Sequence, residues 1–254
     1  MAKITDVEQV MAYLRQARET QWEYEKVKAR FEHVNAPAYG EGMSAWVPDF
    51  EYAHELILTA IGLHLPNGGK VLDLGAGSGR FTKRILEYHN NFQVTLVDFS
   101  ENMLDEAHNT LHELVGRYQI HCGDFFSAGV NFPSNSFDCV VSVFAICHGR
   151  NVEVYNNLYQ RVCHWLKPGG CFICYDHVLG DTEKFTLLNV VGWKQFMDLC
   201  WSADRVRDAI VSTYQEDSPL SLQRHIRLLS DAGFGAVDVL YKKDIFAIYA
   251  GVKS

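Results

Sequence analysis

From Lys70 to Val178 the chain alternates short runs of β-branched and aromatic residues with stretches of helical period. "KVLDLGA" precedes a stretch carrying Phe81, Ile85 and Leu86, and "QVTLVDF" precedes one carrying Met103, Leu104, Ala107 and Leu111. "QIHCGDF" and "DCVVSVFAI" read as the next strands. A helix with Leu158, Val162 and Leu166 then ends at "KPGG", and the strand "CFICYDHV" follows. Strands separated by helices return by crossover, so they run parallel and are covered on both faces. Near the end, "AVDVLYK" and "DIFAIYAGV" are joined by a short polar turn around Lys243 and Asp244. Strands that close together must form an antiparallel hairpin, which predicts one reversed strand at the sheet edge. The expected fold class is therefore α/β, with a mostly parallel sheet between helical layers.

Residues 1–65 read as an N-terminal helical extension or lid, and 66–254 as the main domain with a mostly helical insert over about 181–231. Thr5 to Phe31 is expected to be helical, with Thr5-x-x-Glu8 as a capping box. A second helix is expected near Asp49, just past Pro48. With 254 residues, 48% apolar and 21% charged, the chain can build its own core. No apolar run reaches the roughly 18 residues a membrane span needs, and the N-terminus lacks a secretory pattern. A cytoplasmic protein without membrane contact is expected. The 31 acidic residues outnumber the 23 basic ones, giving net charge −8. That balance argues against direct nucleic-acid binding, which depends on phosphate neutralisation. The seven cysteines, an odd number, are expected to be free thiols. Cys171 and Cys174 sit three apart on a strand and so should face opposite ways.

The turn after the first strand reads Gly75-Ala76-Gly77-Ser78-Gly79, preceded by Asp73. Dinucleotide sites need G-x-G-x-x-G, so the third glycine is one position early. The shorter spacing suits a ligand whose tail is an amino acid: Gly75 and Gly77 admit the backbone, nearby amides meet a carboxylate, and Asp73 lies near an ammonium. A tight turn that serves only packing has the same composition. Asp98, 19 positions after Gly79, matches the spacing of a carboxylate that grips both ribose hydroxyls. Asp124 in "HCGDFF" can accept from an adenine amino group, beside Gly123 and the Phe125 amide, with Phe99 and Met103 against the ring.

"VLDLGAGSGR", "LVDFSENML", "CGDFF", "FDCVVSVFAICH" and "LKPGG" resemble, in order and spacing, the motifs of class I S-adenosylmethionine (SAM)-dependent methyltransferases. The resemblance implies a Rossmann-like sheet of seven strands in the order 3-2-1-4-5-7-6, strand 7 antiparallel. It implies SAM as cofactor and S-adenosylhomocysteine as product. Asp73, Gly75, Ala76, Gly77, Gly79, Asp98, Phe99, Met103, Gly123, Asp124, Phe125 and Val143 are the expected cofactor residues. "AWVPDFEYAHELI" and "LSDAGFGAVDVLYKKDIFAIYAGVK" are similar to the carboxy-S-adenosylmethionine synthase type, which serves tRNA wobble-uridine modification. That similarity puts Arg207 against the ligand's extra carboxylate from a partner subunit. The first motif departs from that group, reading "DLGAGSG" where its members read "DLGCSLG".

The leading expectation is transfer of the sulfonium methyl to an oxygen, nitrogen or sulfur atom of a small molecule. The alternatives are the carboxy-SAM activity and a non-catalytic SAM-binding partner subunit. His148, His177 and Asp176, at the mouths of the fourth and fifth strands, are the candidate catalytic groups. A histidine can accept a proton or merely bond a backbone carbonyl. Tyr13, Trp22, Tyr24 and Trp46 of the extension, Phe144, Trp193, Met197 and Arg207 are candidates for the acceptor pocket, although an aromatic stripe such as Trp193, Phe196, Met197 and Trp201 also suits a core. No metal is expected, since His108 and His112 lack a third ligand. A monomer or homodimer is expected.

Overall fold

Odd and even positions of the central strands divide the apolar core in two. Val71, Cys139, Val141, Cys171 and Ile173 face one layer; Leu72, Leu74, Val140, Phe172 and Cys174 face the other. The period-2 alternation of a strand buried on both sides produces this split. It sends Cys171 and Cys174 to opposite faces, as their spacing requires. The computed structural model describes residues 4–38, 40 and 42–254.

The sheet contains β1 (Gly69–Leu74), β2 (Phe92–Asp98), β3 (Tyr118–Cys122), β4 (Phe137–Val143), β5 (Leu166–His177), β6 (Phe234–Lys243) and β7 (Phe246–Lys253). Their order is β3-β2-β1-β4-β5-β7-β6. β1 to β5 pair in parallel, and β7 is antiparallel to both β5 and β6. The reversed strand thus lies one position inside the edge, and β6 closes the sheet. The hairpin alone left open which of its strands meets β5; Cys171 to His177 pair with β7 along its length.

α4 (Arg80–Tyr88), α5 (Glu101–Thr110) and α6 (Val152–Trp165) make the crossovers. Phe81, Ile85 and Leu86 of α4 join α3 (Phe50–His64) on one face. Tyr155, Leu158, Tyr159 and Val162 of α6 pack on the other with α9 (Leu222–Asp231). Helix α6 ends at Trp165, and Leu166 opens β5 rather than closing the helix. The insert forms α7 (Glu183–Met197), α8 (Ala203–Glu216) and α9. Ser100, Asn151, Thr182, Ser202 and Ser221 each accept from an amide in the first turn of α5, α6, α7, α8 and α9. Such caps satisfy donors that a helix leaves open at its start.

The expected N-terminal helix is two helices, α1 (Ile4–Glu19) and α2 (Tyr24–His33). Thr5 lies inside α1, one residue past its start, and does not cap it. The break has a tertiary cause: the Trp22 amide donates to Gln215 O at 2.8 Å, outside any helix ladder. Helix α1 packs on α7 and α8, where Lys194 Nζ meets Asp6 Oδ1 at 3.2 Å. Helix α2 leans on α5 instead. No helix among the described residues is long and apolar enough to cross a membrane.

Candidate active site

The tips of β1, β2 and β4 end along one edge, with Leu74 paired to Val97 and Asp73 to Val141. In an open parallel sheet this carboxyl edge, where strand order reverses, is where ligands bind. A cavity of about 330 Å³ opens there, within the usual range of roughly 300–1,000 Å³ for small-molecule sites.

The glycine turn forms its floor. The amides of Gly75 and Ala76 both donate to Val97 O, at 2.8 and 3.1 Å, tying the turn to β2. Gly75 has φ 75°, and a Cβ there would overlap the Cβ of Ala145. Asp98 ends β2 and binds the turn in return: Oδ2 accepts from Gly77 N and Oδ1 from Ser100 N, each at 2.9 Å. Burial pushes this carboxyl up, while the amides of Ser100 and Gly77 and the charge of His148 pull it down. Each oxygen keeps a lone pair for a further donor.

Phe99, Met103, Phe125, Val143, Phe144, Ala145 and His148 continue the wall. Phe144 is held at φ 54°, a conformation that bulky residues seldom adopt; its amide donates to Tyr175 O at 2.8 Å. His148 packs edge-on against Phe31 of α2, with centroids 5.4 Å apart. Its Nδ1 stands 2.5 Å from Asp217 Oδ1, a close ion pair rather than an aligned hydrogen bond. Burial pulls the imidazole down, but Asp217 outweighs it and holds His148 above its usual value.

Several expected residues stand elsewhere. Asp73 is buried beneath the turn, 2% exposed, where Thr82 Oγ1 donates to it at 2.5 Å. It does not face the cavity. Gly79 packs on α5, since a Cβ there would lie 3.1 Å from Ala107 Cβ. Gly123 and Asp124 are also outside the wall. Asp124 Oδ1 accepts from Phe126 N at 2.9 Å and from Tyr24 Oη at 3.1 Å. The amides expected to meet a carboxylate are mostly occupied: Gly75, Ala76 and Gly77 as above, and Gly79 on Ala76 O at 3.0 Å. Asp176 and His177, 2% and 3% exposed, form a cluster behind His148 and do not reach the cavity.

Among the acceptor candidates Tyr24 and Phe144 line the cavity. Trp193 and Met197 are fully buried core, Trp193 donating through Nε1 to Trp46 O at 2.8 Å. Trp46 packs edge-on behind Phe144, with centroids 6.2 Å apart. Tyr13, on α1, packs against the core, and Trp22 lies under Lys26 Nζ at 4.0 Å. Arg207 pairs with Asp204 and Asp208 of its own helix and is not in the wall. The wall also holds residues that were not singled out: Phe31, Met43, Phe50, His54, Ser78, Arg80, Phe81, Arg84 and Phe126. Only Tyr24 among the wall's extension residues carried a signal, as an aromatic of a candidate lid.

Residues 71–170 match the family model of a methyltransferase domain. That stretch is a methyltransferase domain, and with the fold it supports a class I SAM-dependent methyltransferase. It is 31% identical over 121 residues to phosphoethanolamine N-methyltransferase 1 of Zea mays, covering 46% of this chain and 23% of that one. It is 29% identical over 155 residues to the ubiquinone/menaquinone biosynthesis C-methyltransferase UbiE of Rickettsia massiliae (strain Mtu5), covering 53% of this chain and 61% of that one. The chain therefore spans less than two thirds of either relative's length. The methyltransferase SibL, in its apo form, superposes with TM-score 0.63 at 18% identity, covering 98% of this chain and 70% of SibL. Human N-acetylserotonin methyltransferase in complex with SAM gives 0.57 at 19%, covering 97% and 67%. At such identities the likeness establishes the shared fold.

Burial lifts the Asp73 carboxyl from 3.8 to about 7 despite the Thr82 hydroxyl, with Asp98 adding to the rise. Because the folded value is raised, its contribution to stability is complete below about pH 4 and is lost as pH rises through about 7. Asp73→Asn keeps the shape and has no proton to lose. Relative to wild type, it should gain on the order of 4 kcal/mol between pH 4 and 8. Urea unfolding of both proteins across that range measures the gap; a gap that does not widen with pH would contradict the burial argument.

Proposed function

We propose that the chain transfers the sulfonium methyl of SAM to a nucleophilic atom of a small molecule. The observation that carries this reading is the Asp98 carboxylate, fixed by two main-chain amides against the Gly75–Gly77 turn at the floor of the cavity. The free lone pairs of its two oxygens suit vicinal ribose hydroxyls. Phe99, Met103 and Phe125 supply apolar surface for the adenine. Arg80, which gives one donor to Pro37 O at 2.6 Å, keeps others for the carboxylate of the amino-acid tail. It takes the part that the turn amides, already bonded, leave open.

Bound there, SAM supplies an electrophilic methyl. The protein's part is to align the acceptor behind it and keep water out. Met43, Phe50, Phe81 and Phe144, with His54, line the rest of the cavity and suit a small, largely apolar acceptor. Burial pulls His54 down to about 4, so it is a neutral member of that wall. His148, braced by Asp217, meets the acceptor as a hydrogen-bond partner. Tyr24 and Phe31 of α2 complete the cover. Apolar lining in excess of the residues assigned to the cofactor favours catalysis over a binding-only subunit.

Calorimetry with SAM, S-adenosylhomocysteine and NAD tests the cofactor assignment. Both adenosyl ligands should bind; NAD binding with no response to either overturns the proposal. A panel of oxygen, nitrogen, sulfur and carbon nucleophiles, scored by S-adenosylhomocysteine release, then identifies the acceptor.

A further inference from the structure

Behind the cavity wall, at the ends of β4 and β5, three side chains from distant parts of the chain converge. They are Cys147 in the turn after β4, His177 at the end of β5 and Asp217 just past α8. Their ligand-type atoms all lie within 4.8 Å of one another, and all three residues are buried. His177 Nε2 makes no hydrogen bond, a state that buried polar atoms rarely keep. His177 Nε2 stands 3.3 Å from Asp217 Oδ2. Two ligands on a tetrahedral zinc with bonds of about 2.0–2.1 Å stand roughly 3.3 Å apart.

The surroundings are built to hold these groups in place. Asp176 Oδ2 accepts from Cys147 N at 2.8 Å, and its Oδ1 accepts from His177 N at 2.9 Å. The same Oδ1 stands 3.4 Å from His177 Nδ1, leaving Nε2 for the centre of the cluster. A carboxylate behind the far nitrogen is the usual support of a metal-bound histidine. Ser218 N donates to Cys147 O at 3.0 Å, and Tyr155 Oη donates to Ser218 O at 3.0 Å with Cys147 O at 3.3 Å as its second acceptor in reach. The three ligand-bearing segments are thereby pinned to one another.

We propose that Cys147, His177 and Asp217 form a metal site for zinc, through Sγ, Nε2 and Oδ2, with water as the fourth ligand. A thiolate, an imidazole and a carboxylate suit that ion better than magnesium or calcium, which take oxygen ligands. Asp217 Oδ1 still meets His148 at 2.5 Å, so one carboxylate separates the metal from the cavity wall. No short motif marks the site, because its ligands come from three separate segments. The expectation of no metal rested on His108 and His112, which lack a third ligand.

The test uses the full chain, without a histidine tag, in a Cys122→Ser/Cys200→Ser background that removes the two exposed cysteines. After chelation, Co²⁺ is titrated in and the absorbance followed. One equivalent should bind with tetrahedral d–d bands and a thiolate-to-cobalt charge-transfer band, and Zn²⁺ should displace it. Cys147→Ser should abolish the charge-transfer band, and His177→Gln should weaken binding at least tenfold. Failure of the background protein to bind Co²⁺ overturns the proposal even if neither variant folds. A charge-transfer band that survives Cys147→Ser overturns it too. SAM calorimetry on the same metal-free protein separates this result from the cofactor assignment, since Asp98 and the glycine turn share no ligand with the cluster.

Discussion

Asp98→Ala is expected to weaken SAM and S-adenosylhomocysteine binding by roughly 2–4 kcal/mol, which is a loss of about 30- to 1,000-fold in Kd. Two effects add. The ribose loses a charged acceptor that could take both hydroxyls at once. The amides of Gly77 and Ser100, each 2.9 Å from an Asp98 oxygen, lose their partner in a largely buried setting. Asp98→Asn separates the two. Its amide nitrogen must face one of those N–H groups, so it retains the shape but sets donor against donor. Calorimetry should therefore rank wild type above Asn and Asn at or above Ala. Equal affinity in all three proteins would mean that the sugar binds elsewhere and that Asp98 only ties β2 to the turn.

The parts of this site that could be read in the sequence are those fixed by local geometry. Strand–helix alternation dictates parallel pairing, and a carboxylate at the tip of β2 must stand beside the turn after β1. Asp98, Gly75, Gly77, Phe99 and Met103 all meet in the cavity for that reason. Where a residue's role depended on which way its side chain points, the sequence was mute. Asp73 precedes the turn but lies on the face that Thr82 occupies. Gly79 belongs to the same motif, yet it is bare to let α5 approach. Trp193 and Met197 have the helical spacing shared by cores and pockets, and packing with Trp46 decided for core. Contacts between remote segments were out of reach altogether. Neither the Asp217 partner of His148 nor the Phe31 cover from α2 has any local signature. The break between α1 and α2, which aims α2 at the cavity, depends on the carbonyl of Gln215.

Gly75→Ala should have the largest effect on the fold of the site, costing about 2–5 kcal/mol of stability. Gly75 has φ 75°, where an L side chain costs about 1–2 kcal/mol. The added methyl would also overlap the Cβ of Ala145 and come within 3.4 Å of Phe125 Cε1. Ala145 is 8% exposed and Phe125 4%, so neither has open space into which to retreat. Gly77→Ala is the internal comparison. At φ 53° it bears the same kind of backbone strain, but its nearest neighbour would be Met103 Cε at 3.7 Å, an ordinary contact. Urea unfolding should therefore find Gly77→Ala milder than Gly75→Ala by the cost of the overlap. Ala145→Gly removes the atom that is struck, so the double variant Gly75→Ala/Ala145→Gly should regain that part and keep the backbone strain. Residues in contact couple in this way, and the coupling measures the overlap directly. Additive losses in the double variant would mean that Gly75 is required for its backbone conformation alone, and the close approach between the first turn and the end of β4 would lose its energetic role.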